Sequence, residues 1–284
     1  MAAPVVASYS TASNPASSTL VVTNPSGLTA GDEMLLNVSW YDTGSTRTLS
    51  TPSGWTARVN TVSDFVGAAT FTKTASSGDV SAGNVTLSFS GAPEFNAASF
   101  LRITGAALGS EVAGSEVDSE AGPTGTTPSY TTALTPTSGE SLVVVAFSGA
   151  SNSLAGTPSV SSYATTPSVT FTEVADISSK SGADGIILGV AAGSYSGTSQ
   201  ITNRTATYSE EIERERYGTI VVYNAPQSVT GTPSLGTASP TLFTVAGLVG
   251  GSAFLGLESF SPTFFSVSGT GSSQQTTWTT VTKS

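Results

Sequence analysis

The chain has 284 residues, of which 38% are hydrophobic and only 10% charged. That balance excludes a disordered chain, which would be poorer in apolar side chains and richer in charge, and the abundance of Thr and Val points to a folded all-β protein. A net charge of −10, from 19 acids against nine bases, excludes a nucleic-acid footprint and an anionic membrane surface, and the absence of Cys and His removes thiol nucleophiles, the Ser-His-Asp arrangement and the commonest metal ligands.

The opening residues Met1 to Ser8 lack the basic and apolar regions of a secretory signal. No stretch approaches the length of an apolar membrane span. Short runs of period two then recur, separated by Gly, Pro, Ser and Asn. Met34, Leu36, Val38 and Trp40 lie on one face of a strand that follows Ala30-Gly31-Asp32. Trp55 follows the turn sequence Pro52-Ser53-Gly54, and a large ring placed there reads as a lid over the core. Val85, Leu87 and Phe89 alternate with Thr86 and Ser88. Leu142–Phe147 is apolar on both faces, as a central strand is, and Tyr217–Tyr223 reads as a further strand.

An internal repeat organises these runs. At an offset of 119 residues, Ala69–Ala106 lies over Leu188–Ala225 without a gap. At an offset of 108, Ala30-Gly31-Asp32 and Met34-Leu35-Leu36 lie over Ser138-Gly139-Glu140 and Leu142-Val143-Val144. Two offsets mean that loop lengths differ while strands persist. The expected fold is therefore all-β: two tandem antiparallel β-sandwich units, jelly-roll or immunoglobulin-like, plus a short β-rich C-terminal extension. The expected boundaries are 1–108 for the first unit, 109–129 for a solvated linker, 130–226 for the second unit and 227–284 for a C-terminal assembly segment.

Few residues offer chemistry. Asp42, Asp64, Glu94, Asp184 and Glu213 are the candidates for a carboxylate pair of glycosidase type, and no motif selects any two of them. Glu111, Glu116, Asp118 and Glu120 offer oxygen ligands without the spacing of a calcium loop, and read as linker. Glu210–Arg216 is a charge-dense run entering the Tyr217 strand, read as a solvated loop or short helical turn. The expectation is a non-enzymatic protein with no cofactor and no metal. In the last segment, Ser239-Pro240-Thr241-Leu242-Phe243 recurs 22 residues later as Ser261-Pro262-Thr263-Phe264-Phe265. Leu242, Phe243, Phe254, Leu255, Phe260, Phe264 and Phe265 crowd a segment with two charges, Glu258 and Lys283. Left exposed they would form a patch larger than soluble monomers carry, so they are expected to form an assembly interface.

Gly31-Asp32-Glu33-Met34-Leu35-Leu36 followed by Pro52-Ser53-Gly54-Trp55-Thr56 resembles the Gly-Asp-hydrophobic…Pro-x-Gly-Trp β-sandwich proteins found among tailed-bacteriophage virion proteins and some bacterial surface proteins. The likeness covers about residues 5–225. The second unit lacks the Gly-Trp pair. The resemblance implies a component of the virion exterior, a capsid decoration, head fibre or tail appendage, assembled in the host cytoplasm. Its partners would be other virion proteins or copies of itself, a trimer being the analogous state. The alternative it leaves is a host-binding module that takes surface glycan through Trp or Tyr side chains.

Overall fold

The computed structural model describes residues 3–63, 65–109, 111–118, 126–212, 214 and 216–226. The chain divides at Gln227, and the described residues all belong to the part before it. Seven strands make the first half: β1 (Val5–Ala12), β2 (Thr19–Thr23), β3 (Glu33–Tyr41), β4 (Thr56–Ser63), β5 (Val66–Thr74), β6 (Asn84–Ser88) and β7 (Phe95–Thr104). One helical turn, α1 (Ser77–Ala82), precedes β6. It is held by a reciprocal capping box between Ser76 and Asp79 and closed by Gly83 in the left-handed conformation. Eight strands follow: β8 (Val112–Asp118), β9 (Ser129–Tyr130), β10 (Ser141–Ser151), β11 (Val160–Thr166), β12 (Thr172–Ser181), β13 (Asp184–Tyr195), β14 (Thr202–Tyr208) and β15 (Arg216–Asn224).

These form four antiparallel sheets in a stack. A five-stranded sheet of order β1-β7-β3-β5-β4 carries the two-stranded sheet β2-β6 on its outer face. A second, of order β12-β13-β10-β15-β8, carries the three-stranded sheet β11-β14-β9. The architecture is thus an all-β sandwich of antiparallel sheets. The strand orders correspond one to one: β1, β7, β3, β5 and β4 take the places of β8, β15, β10, β13 and β12. The two large sheets pack on each other through one further core, which draws Leu35, Leu101 and Ile103 from one and Val144, Leu188 and Val221 from the other. In that stack β1 faces β12 and β4 faces β8, which is the exchange that a twofold axis between two equal sheets produces.

The alternation of side chains explains the layering. Met34, Leu36, Val38 and Trp40 enter the outer core of the first half, as their spacing predicts. The odd residues Glu33, Leu35, Asn37, Ser39 and Tyr41 face the central layer, so β3 is buried along its whole length. In β10, Leu142, Val144 and Ala146 face the centre, and Val143, Val145 and Phe147 the outer core. Each large apolar side chain so buried contributes about 1.5–3 kcal/mol.

Two expectations are corrected. Residues 109–129 are not all linker: Val112–Asp118 is β8, the edge strand hydrogen-bonded along β15. Its acidic and glycine-rich composition masks a strand because an edge tolerates both. The repeat offsets also fail at residue level. The offset of 108 lays Met34, in an outer core, on Leu142, in the central one, and that of 119 lays Phe71 on Val190 with the same reversal. A slip of one residue turns a strand's faces over. Only on β6 and β14 does the offset of 119 preserve the inward face, carrying Leu87 onto Ala206 and Phe89 onto Tyr208.

Candidate functional site

The described carboxylate candidates gather toward one end of β3: Asp42 follows Tyr41, Tyr41 pairs with Phe95 next to Glu94, and the Glu94 and Asp184 charges both act on the Tyr41 hydroxyl. Asp42 is buried at the end of β3, where it accepts from the Gly44 and Ser45 N–H groups, both at 2.9 Å, and from Arg47 Nε at 2.8 Å. Glu94 accepts from Thr43 Oγ1 at 2.6 Å. Asp184 opens β13 at the β12–β13 hairpin. Asp64, Glu120 and Glu213 lie outside the described residues, as do Leu242, Phe243, Phe254, Leu255, Phe260, Phe264 and Phe265. Among the described residues no group of three acids is placed to hold a metal ion.

Glu111, expected in a solvated linker, is instead buried between the stacked sheets. Its Oε1 accepts from Thr72 Oγ1 at 2.9 Å and from Arg58 Nη2. Arg58 reaches it because β4 bulges between Ala57 and Val59, which re-aims the intervening side chain. Glu33, 2% exposed, accepts from Thr74 Oγ1 at 2.8 Å and from the Gly109 N–H at 3.3 Å. Burial, with the Glu111 charge adding to it, pushes the Glu33 carboxyl above the usual range. The buried Tyr223 hydroxyl is raised for the same reasons. At the other end of the layer the Tyr217 hydroxyl accepts from the Ser63 N–H at 2.9 Å and donates to the Val66 carbonyl at 2.8 Å. Polar groups thus bind the two sheets at both ends.

Among the described residues an opening lies in the first half, beside β6. It is a half-open cavity of about 210 Å³, floored by Met34, Trp55 and Phe100 and rimmed by Pro52, Ser53, Asp79 and Asn84–Thr86. Trp55 is 9% exposed and meets Phe100 edge-on, ring centroids 5.5 Å apart. The turn that delivers it is closed by its own N–H on the Pro52 carbonyl, 3.1 Å, with Gly54 at a φ of +77°. Asp79, on the rim, pairs with Lys73 at 2.6 Å. Burial opposes ionisation of Asp79, but hydrogen bonds from Lys73 and Ser76 outweigh it and hold the carboxyl below its usual range. The sequence signalled Trp55. It did not signal the cavity, which exists only where β6 and the 52–55 turn fail to meet.

No family model, no curated protein and no solved structure matches this chain.

Proposed function

We propose that the chain is a non-catalytic structural component of a tailed-phage virion exterior, a capsid decoration, head fibre or tail appendage, that works through protein–protein contacts. The observation that carries this reading is the four-layer stack. Two sandwiches joined through a shared buried layer make a stiff spacer, with Arg58, Thr72 and Glu111 bonded to each other at one end and Tyr217 bonded to the Val66 carbonyl at the other. The Gly31-Asp32 and Pro52-Ser53-Gly54-Trp55 motifs of the resembling virion proteins occupy structural turns in this fold, which agrees with the reading. Asp32 there accepts from the Thr29 N–H at 2.8 Å and from Arg102 Nε at 2.7 Å.

Residues 227–284, with Leu242, Phe243, Phe254, Leu255, Phe260, Phe264 and Phe265, are proposed as the assembly element, joining copies of the chain, a trimer by analogy, or joining it to another virion protein. Gold-labelled antibody against residues 1–227 tests the placement on purified particles. Regular labelling of the particle surface is expected, and label confined to the soluble fraction overturns the reading. Deleting residues 227–284 is expected to lower the solution mass and to abolish retention on the particle. A truncated chain that keeps both removes the segment from the assembly role.

A further inference from the structure

We propose that the free edge of β6 accepts an extended segment of a partner polypeptide, which pairs with the backbone of Asn84 and Thr86 and lays one uncharged side chain into the cavity over Met34, Trp55 and Phe100. This goes beyond the virion reading and does not depend on it.

The edge is identified by hydrogen-bond direction. Hydrogen-bonding groups alternate between the two sides of an antiparallel strand. The Phe89 N–H donates to the Ser18 carbonyl, 2.9 Å, on the β2 side. The Ser88 carbonyl accepts from the Ser50 N–H, 3.0 Å, on the other side. Thr86 and Asn84, two and four residues before Ser88, therefore turn their N–H and C=O groups away from β2, toward the cavity. Among the described residues β2 is the one strand that pairs with β6. After Ser50 the chain leaves the edge at Pro52, so no described strand lies beside Asn84 and Thr86. Unpaired edges of this kind are templates for another chain.

The second half shows what fits there. Leu49 bridges Phe89, and the Ser90 N–H donates to the Thr48 carbonyl at 2.9 Å. The same two contacts recur as Val160 opposite Tyr208 and the Ser209 N–H on the Ser159 carbonyl, also 2.9 Å. From that shared start the chain of the second half does not leave. It bulges after Ser161 and continues as β11, with Ala164 opposite Thr205 and Thr166 opposite Thr202. The offset of 119, which preserves the inward face on these two strands, carries Thr86 onto Thr205. The latter part of β11 thus lies where the first half has its cavity. The occupant implied is an extended segment like Tyr163-Ala164-Thr165-Thr166, uncharged because the one described charged residue lining the cavity, Asp79, is already paired with Lys73. This is recognition by strand addition, with backbone pairing supplying the affinity and the pocket the selectivity. A sugar would need an open ring face, and Trp55 presents little of its surface.

The test is hydrogen exchange in the full-length chain, with a synthetic peptide of residues 158–168 as the probe. Millimolar peptide is expected to slow exchange of the 84–88 amides about tenfold. Thr86→Pro removes one edge donor while leaving the β2 ladder intact, and Ser53→Phe fills the cavity from an exposed position. Each is expected to abolish the protection without changing exchange in β3 or β10. If Thr86→Pro fails to fold, Ser53→Phe decides. Unchanged exchange at 84–88 in the unsubstituted chain overturns the proposal. So does protection that survives in the variants, and so does protection by simple oligosaccharides in place of the peptide.

Discussion

Gly67 faces Trp40 across the β3–β5 ladder, and a Cβ at Gly67 would lie 2.0 Å from the indole. The ring cannot retreat, because its Nε1 donates to the Arg47 carbonyl at 2.7 Å and it meets Phe89 edge-on at 5.7 Å. Gly67→Ala is therefore expected to cost roughly 1–3 kcal/mol by overpacking, read from the urea midpoint at unchanged slope. Asp176 is a second residue-scale case. Its Oδ2 accepts from the Val160 N–H at 3.1 Å. Burial, with the Glu173 charge adding to it, pushes the carboxyl up to about 6 from an ordinary 3.8. A raised acid favours folding while protonated, so its stabilising share is complete below 3.8 and is lost as pH rises through 6. Asp32 and Asp79 act in the opposite sense, since both are lowered by their hydrogen bonds against the effect of burial. Their share is lost as pH falls below 3.8. Urea midpoints of Asp176→Asn are expected to fall less than those of the parent between about pH 4 and 6. Equal slopes would show that Asp176 is not raised.

At the scale of elements, β4 and β8 are edge strands of different sheets brought together by Arg58 and Glu111. Arg58→Met leaves Glu111 buried without its cation and close to Glu33. The expected loss is about 2 kcal/mol at neutral pH, toward the low end for a broken buried pair because Arg58 keeps some contact with water. That loss should shrink on acidification as the raised Glu33 carboxyl takes up its proton and stops repelling Glu111. A loss independent of pH would mean that packing of the arginine stem matters instead. Much at this scale was legible in the sequence. The even face of β3 and the double-faced β10 announced themselves by apolar spacing. The odd face of β3 did not, because Asn37, Ser39 and Glu33 carry the signature of solvent. They are buried because partners meet them: Thr70 Oγ1 donates to Asn37 Oδ1 at 3.1 Å, and Ser39 Oγ to the Gly67 carbonyl at 3.1 Å. Such satisfaction depends on neighbours far along the chain.

For the molecule as a whole, the shared central layer ties the halves into one cooperative body. Residues 1–109 expressed alone would expose the face of Leu35, Tyr41, Leu101 and Ile103. That fragment is expected to associate or aggregate, whereas residues 1–227 should unfold in a single calorimetric transition with matching van't Hoff and calorimetric enthalpies. Two separated transitions would show that the sandwiches are independent after all. What the sequence by itself determined was the class: period-two runs, Gly and Pro punctuation and scarce charge admit little besides antiparallel sandwiches, because those signals act within a few residues. Tertiary structure alone decided that the sandwiches share a layer, that the acidic stretch after Ser110 becomes an edge strand, and that one half seats β11 where the other leaves β6 open. Each of these turns on what a strand meets across about ten ångströms of sheet stacking or along a distant edge, and local spacing in the chain does not encode that distance.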